Sequence, residues 1–243
     1  MGIETPAVIV DSPQKRYRQL RKALRPFVQE YKEARLCTPD LINYTWTGIW
    51  GVISERAEFD YQVLKSDRTA EELAQLQEEN RDNLLLPDGI YTPKGLVGLG
   101  RAFPLMGSWT ITREEAVRIS HSAVKGGSFD IEMSPDAPYR TRQGYTEQQL
   151  RDTIATDGRR GMRLPTYIVG SQFSKLLTGH YFDEKTWSRI LGSFCGNRAL
   201  AASFFSDGSL RVGRWLPSYG GRGPDLGGRS EGEKIEKSNL ALG

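Results

Sequence analysis

Three features of this chain predict an α+β fold: capped helix starts recurring along its length, a strand-like stretch alternating apolar and acidic residues, and an Asp207-Gly208 turn between two apolar runs. Its 243 residues are 38% hydrophobic and 10% aromatic, enough apolar surface for a real core and more than a disordered chain carries. At this length one core with a smaller appendage is expected. The division predicted is a helical and irregular region over 1–127, a compact unit over 128–219, and a flexible Gly/Arg-rich tail over 220–243.

In chain order, Ser12-Pro13 starts a first helix, since Ser caps and Pro is tolerated in the first turn. Tyr17, Leu20, Leu24, Phe27 and Tyr31 form its apolar stripe, and Pro26, lacking an amide proton, is expected to kink or split it. The first half is densely basic: Lys15, Arg16, Arg18, Arg21, Lys22 and Arg25 occupy the remaining surface. Such a face is either solvated or touches phosphates or an acidic protein. The alternation of Ile42, Tyr44 and Trp46 reads as a strand interrupted near Gly48 and Gly51, and FDYQVLK as a second short strand. Thr69 and Glu72 make a capping box for the helix AEELAQLQEENRD. The Gly/Pro-rich stretch from Pro87 to Gly107 reads as loops or very short strands, and its GLVGLG fits neither a dinucleotide nor a phosphate-loop spacing.

Thr112 and Glu115 predict a further helix bearing Val117, Ile119 and Val124 and closed by Gly126-Gly127. In SFDIEMSPD, Asp130 and Glu132 alternate with Phe129, Ile131 and Met133, so on a strand both carboxylates project from one side. A pair of this kind suits a divalent cation. The words FDIE and GHYFD resemble the first two acidic motifs of proofreading-type 3′ to 5′ exonucleases, and the resemblance implies a magnesium-dependent nuclease using Asp130, Glu132 and Asp183. A fourth acid with a Tyr or His partner is missing from the pattern.

Thr146 and Gln149 box the start of a helix carrying Leu150 and Ile154. Leu164 to Val169 reads as a strand. Ser171 then caps a helix with Phe173, Leu176 and Leu177 that Gly179 ends, and Asp183 caps another whose stripe is Trp187, Ile190, Leu191 and Phe194. The Asp207-Gly208 turn predicts a two-residue hairpin in which Phe205 faces Leu210, Ser203 faces Val212 and Ala201 faces Arg214. The order helix, strand, helix, helix, strand, hairpin resembles the winged helix-turn-helix domains. That resemblance implies DNA binding, with Lys185, Thr186 and Arg189 on a reading helix and Arg211 and Arg214 on the wing.

Cys37 and Cys195 lie far apart beside apolar neighbours, the usage of a reducing compartment; with His121 and His180 they define no zinc pattern. No run approaches the ~20 apolar residues of a membrane span, so a cytoplasmic protein without membrane contact is expected. Net charge is a mild +3. The leading expectation is a non-enzymatic protein, without a cofactor, that binds nucleic acid, DNA before RNA, or joins a nucleoprotein assembly. The alternatives are the magnesium-dependent nuclease and a purely structural assembly subunit.

Overall fold

Two sheets and seven helices carry the chain in a computed structural model that describes residues 11–34, 37–106, 113–123, 125–136, 138–140, 146–214 and 226–233. The fold is α+β, as expected. Helix α1, Pro13–Glu33, starts where Ser12 accepts the Lys15 amide. It buries Leu20, Leu24, Val28 and Tyr31, with Tyr17 and Phe27 only half-buried. Pro26 does not split it. Both Pro26 and Lys22, whose carbonyl the proline leaves without its helical donor, are exposed, so the break in the ladder falls on the solvent side of the helix.

The segment read as strands around Trp46 is helix α2, Pro39–Ala57. Thr38 accepts the Leu41 amide, Pro39 opens the first turn, and Ile42, Trp46, Ile49, Trp50, Ile53 and Ala57 are buried at helical intervals. The local alternation of three residues lost to this longer period. FDYQVLK forms no strand; Tyr61 instead sinks between Trp50 and Phe59 and donates to the Gly95 carbonyl. The Thr69 capping box is present, but helix α3 stops at its range Ala70–Glu78, and Arg81–Leu86 is strand β1.

The Gly/Pro-rich stretch is also helical, a 3-10 turn at Asp88–Tyr91 followed by α4, Pro93–Ala102. Gly95 lies so close to Gly89 that a β-carbon would meet the Gly89 carbonyl oxygen at 1.9 Å. The glycines that suggested loops are therefore points of close packing. Of the next expected helix only α5, Arg113–Ala116, forms; Ile119 belongs to strand β2, Ile119–His121, Val117 is exposed, and Thr112 and Val124 lie outside the described residues. Strand β3, Gly127–Glu132, and the boxed helix α6, Glu147–Thr156, with Leu150 and Ile154 buried, stand where expected.

Leu164–Thr178 is one helix, α7, closed by Gly179 at φ 88°, and Ser171 lies in its interior. Every residue from Leu164 to Ser174 is buried, so no polar face marks the helical period, and a short apolar run of that kind looks the same in helix and strand. The supposed second helix is strand β6, Trp187–Cys195, paired with β7, Arg198–Phe204. Asp183 caps nothing: it is fully buried at φ 55°. Over the stretch that suggested a helix-turn-helix the order is thus helix, short strand, helix and then strands, with no second helix after Gly179 among the described residues. The hairpin to β8, Leu210–Arg214, exists one register away, pairing Phe204 with Leu210, Ser203 with Arg211 and Ala202 with Val212. Phe205 donates to Ser209 O and Gly208 to Phe205 O, both at 2.9 Å, which makes a three-residue loop with Gly208 at φ 91°.

The segment read as a flexible tail supplies two strands, β9 at Leu226–Gly228 and β10 at Ser230–Glu233. Strand β10 lies between β3 and the short β5, Arg160–Gly161, in the sheet ordered β1-β3-β10-β5. Strand β9 runs parallel to β6 in the second sheet, β4-β9-β6-β7-β8, whose first strand is Tyr139–Arg140 and where β2 adds to β6. One hydrophobic cluster extends from Leu20 to Leu210, so the boundary expected at Gly127 runs through a shared core and between two paired strands.

Candidate functional site

The capped start and the apolar stripe of α1 turn its remaining face outward along a groove with α7. Arg18, Arg21, Lys22, Arg25 and Lys32, with Gln29, line it; Val28 of α1 and Leu176 of α7 are its apolar residues, and its volume is about 430 Å³. Spacings of three and four residues place these cations along one side of the helix. Among the described residues no carboxylate lines the groove and none of the five cations forms a salt bridge. Many arginines elsewhere are tied down: Arg68, Arg81 and Arg159 to Asp130, Arg160 and Arg163 to Glu231, Arg229 to Asp183. Five unpaired cations side by side raise the local positive potential well above what a net charge of +3 suggests.

Four of the six expected α1 cations therefore meet in the groove. Lys15 is ion-paired with Asp11 at 2.7 Å, and Arg16 is exposed outside the lining. Lys32 was missed because the expected break at Pro26 ended the basic stretch too early; extending the three-and-four spacing from Arg18, Lys22 and Arg25 past the proline would have found it. The C-terminal candidates do not assemble as expected. Lys185 is exposed in the turn before β6, and Thr186 donates to Asp183 Oδ1 at 3.2 Å. Arg189 is 1% exposed inside β6, where burial lowers its pKa against the pull of Glu147, so it presents nothing to a partner. Arg211 is exposed and lies over the Phe205 ring at 3.9 Å; the Arg214 side chain lies outside the described residues.

Two of the three acidic candidates, Asp130 and Asp183, have their carboxylates engaged in the framework. Asp130 Oδ1 accepts from Arg68 at 2.9 Å, Oδ2 pairs with Arg159, and Arg81 stands 3.9 Å away. Asp183 accepts two nitrogens of Arg229, at 3.0 and 3.1 Å, and the Tyr167 hydroxyl at 3.0 Å. Glu132 is half-buried, and only its backbone carbonyl meets a guanidinium, that of Arg229. Among the described residues no three acids, histidines or cysteines are grouped to hold a metal ion. Guanidinium groups occupy the positions around Asp130 and Asp183 that a cation would need.

One further titratable pair sits between β2 and β6. His121 Nδ1 and Ser193 Oγ are 2.7 Å apart, while Ser193 Oγ also accepts the Leu164 amide at 2.8 Å. Burial first, then the Arg163 guanidinium, pushes the imidazole down to about 4. The unfolded chain takes up this proton at the ordinary histidine value near 6.5, so acidification through that interval favours unfolding. We expect the melting temperature to fall between about pH 6.5 and about pH 4 more steeply in the wild type than in His121→Asn. Equal slopes would show that this ring does not couple protonation to folding.

Cys37 and Cys195 are free thiols, and among the described residues no helix is long and apolar enough to cross a membrane. Compared with protein-family models, curated proteins and solved structures, the chain has no significant match.

Proposed function

We propose that this protein binds nucleic acid without chemically altering it, holding the phosphate backbone in the groove between α1 and α7. The observation that supports this reading is the convergence of Arg18, Arg21, Lys22, Arg25 and Lys32 on one groove that, among the described residues, contains no carboxylate. Evenly spaced negative charge is the chemistry that such a row complements, and each phosphate neutralised releases condensed counterions. Arginine adds a planar fork that meets two phosphate oxygens at once. The reading moves the contact away from Arg189, which is buried, and onto the N-terminal helix.

Labelled oligonucleotide binding measured across a salt series tests it. With about five phosphate contacts, affinity should fall by two to three orders of magnitude between about 50 and about 200 mM salt. Arg18→Glu with Lys22→Glu, both on the exposed face, should abolish most of the binding at unchanged melting temperature. Binding that ignores salt, or that survives both reversals, would remove the groove from the interface.

A further inference from the structure

Resting on the nucleic-acid reading just given, we infer that the groove is shaped for a single strand rather than a duplex, and that it holds the strand without regard to sequence. To enter a major groove about 12 Å wide, a helix must stand clear of its neighbours. Helix α1 does not: its Phe27 ring packs so closely on α2 that a β-carbon at Gly48 would overlap it, and α7 forms the other wall of the groove through Leu176. Its cations are thus offered along a recess instead of a ridge.

A duplex presents its phosphates on a broad convex surface, which would rest on the rims of a 430 Å³ groove and leave the half-buried Leu176 uncovered. A single strand is narrow and flexible. It can follow the line from Arg18 to Lys32, about 21 Å at 1.5 Å per residue, with its phosphates on the cations and a sugar against the half-buried Leu176. Among the described residues the lining holds no aromatic ring for bases to stack on and a single amide, Gln29. Contacts to base edges are what read sequence, so this groove has little with which to tell one base from another. Phosphate is common to DNA and RNA, and both sugars meet the same Leu176 side chain.

Fluorescence anisotropy on the full chain separates the possibilities. The probes are an oligothymidylate of about twelve nucleotides, the matching oligouridylate, the duplex of the same length, and polyglutamate; single-strand sites commonly cover ~4–16 nucleotides. We expect the two single strands to bind within about threefold of each other and at least about tenfold more tightly than the duplex. Their log-log salt slope should be near −3.5 for about five contacts, falling to about −2.1 in Arg18→Gln with Arg25→Gln. Lys22→Gln with Lys32→Gln, made separately, should give the same reduction, so the result does not depend on the behaviour of one variant. A duplex bound as tightly as the single strands would overturn the single-strand assignment and leave nucleic-acid binding standing. Polyglutamate bound in preference to every oligonucleotide would overturn both, and would mark the groove as the seat of an acidic protein segment.

Discussion

Arg229→Met is expected to lower the unfolding free energy by about 3 to 5 kcal/mol, the usual consequence of removing one member of a buried ion pair. The guanidinium is 1% exposed and lies 3.9 Å from the centre of the Phe182 ring. It donates to both oxygens of Asp183 and to the carbonyls of Ser134 and Pro135, at 2.8 to 3.2 Å. Methionine keeps much of the apolar stem over Phe182 but strands the fully buried Asp183 carboxylate and takes the donor from Ser134 O, while Pro135 O keeps the Asp183 amide at 2.7 Å. Arg229 also joins β9 to β10, so its loss loosens the strand wedged between β3 and β5. Adding Asp183→Asn, a residue that accepts the left-handed backbone at this position, should restore at least about 1 kcal/mol by removing the orphaned charge. Urea denaturation of the three proteins reads both steps. A single variant within about 0.5 kcal/mol of wild type would mean that the C-terminal strands are held by something else.

Trp46→Ala should cost a comparable ~3 to 5 kcal/mol, and here the intermediate substitution carries the argument. Strand β1 is the edge of its sheet, yet it is buried over Asn83 to Leu86. Its outward carbonyls need donors, and α2 supplies them: Trp46 Nε1 donates to Asn83 O at 2.9 Å and Trp50 Nε1 to Leu85 O at 2.6 Å. Four residues along a helix advance about 6 Å, and two along a strand about 6.8 Å, so indoles one turn apart match alternate carbonyls. Trp46→Phe keeps most of the apolar contact and loses only the donor, which should cost about 1 to 3 kcal/mol. Stability should therefore fall in the order wild type, Trp46→Phe, Trp46→Ala. A phenylalanine variant as stable as wild type would show that the carbonyl finds another donor and that the tryptophans serve as bulk alone.

What could be read from the sequence was local. The caps at Ser12, Thr69 and Thr146, the glycine stop at Gly179, the alternating strand at Phe129–Glu132 and the existence of a turn at Asp207-Gly208 each depend on a few neighbouring residues whose hydrogen bonds or φ values the chain itself dictates. Most of the candidate groove was legible for the same reason, since one amphipathic helix orders its own cations. The remainder was decided at a distance. Helix α7 and strand β6 are buried on nearly all sides, so neither carries the contrast between wet and dry faces from which a period is read. The segment 226–233 has the composition of a linker because Gly228 and Gly232 lie where other elements leave little room: a β-carbon at Gly232 would meet Asp130 Oδ1 at 2.3 Å. Its charges, Arg229 and Glu231, look like solvent-facing residues until Asp183 and Arg163, far away in sequence, neutralise them in the interior. Burial of a charge depends on its partner, and only the tertiary structure brings that partner to it.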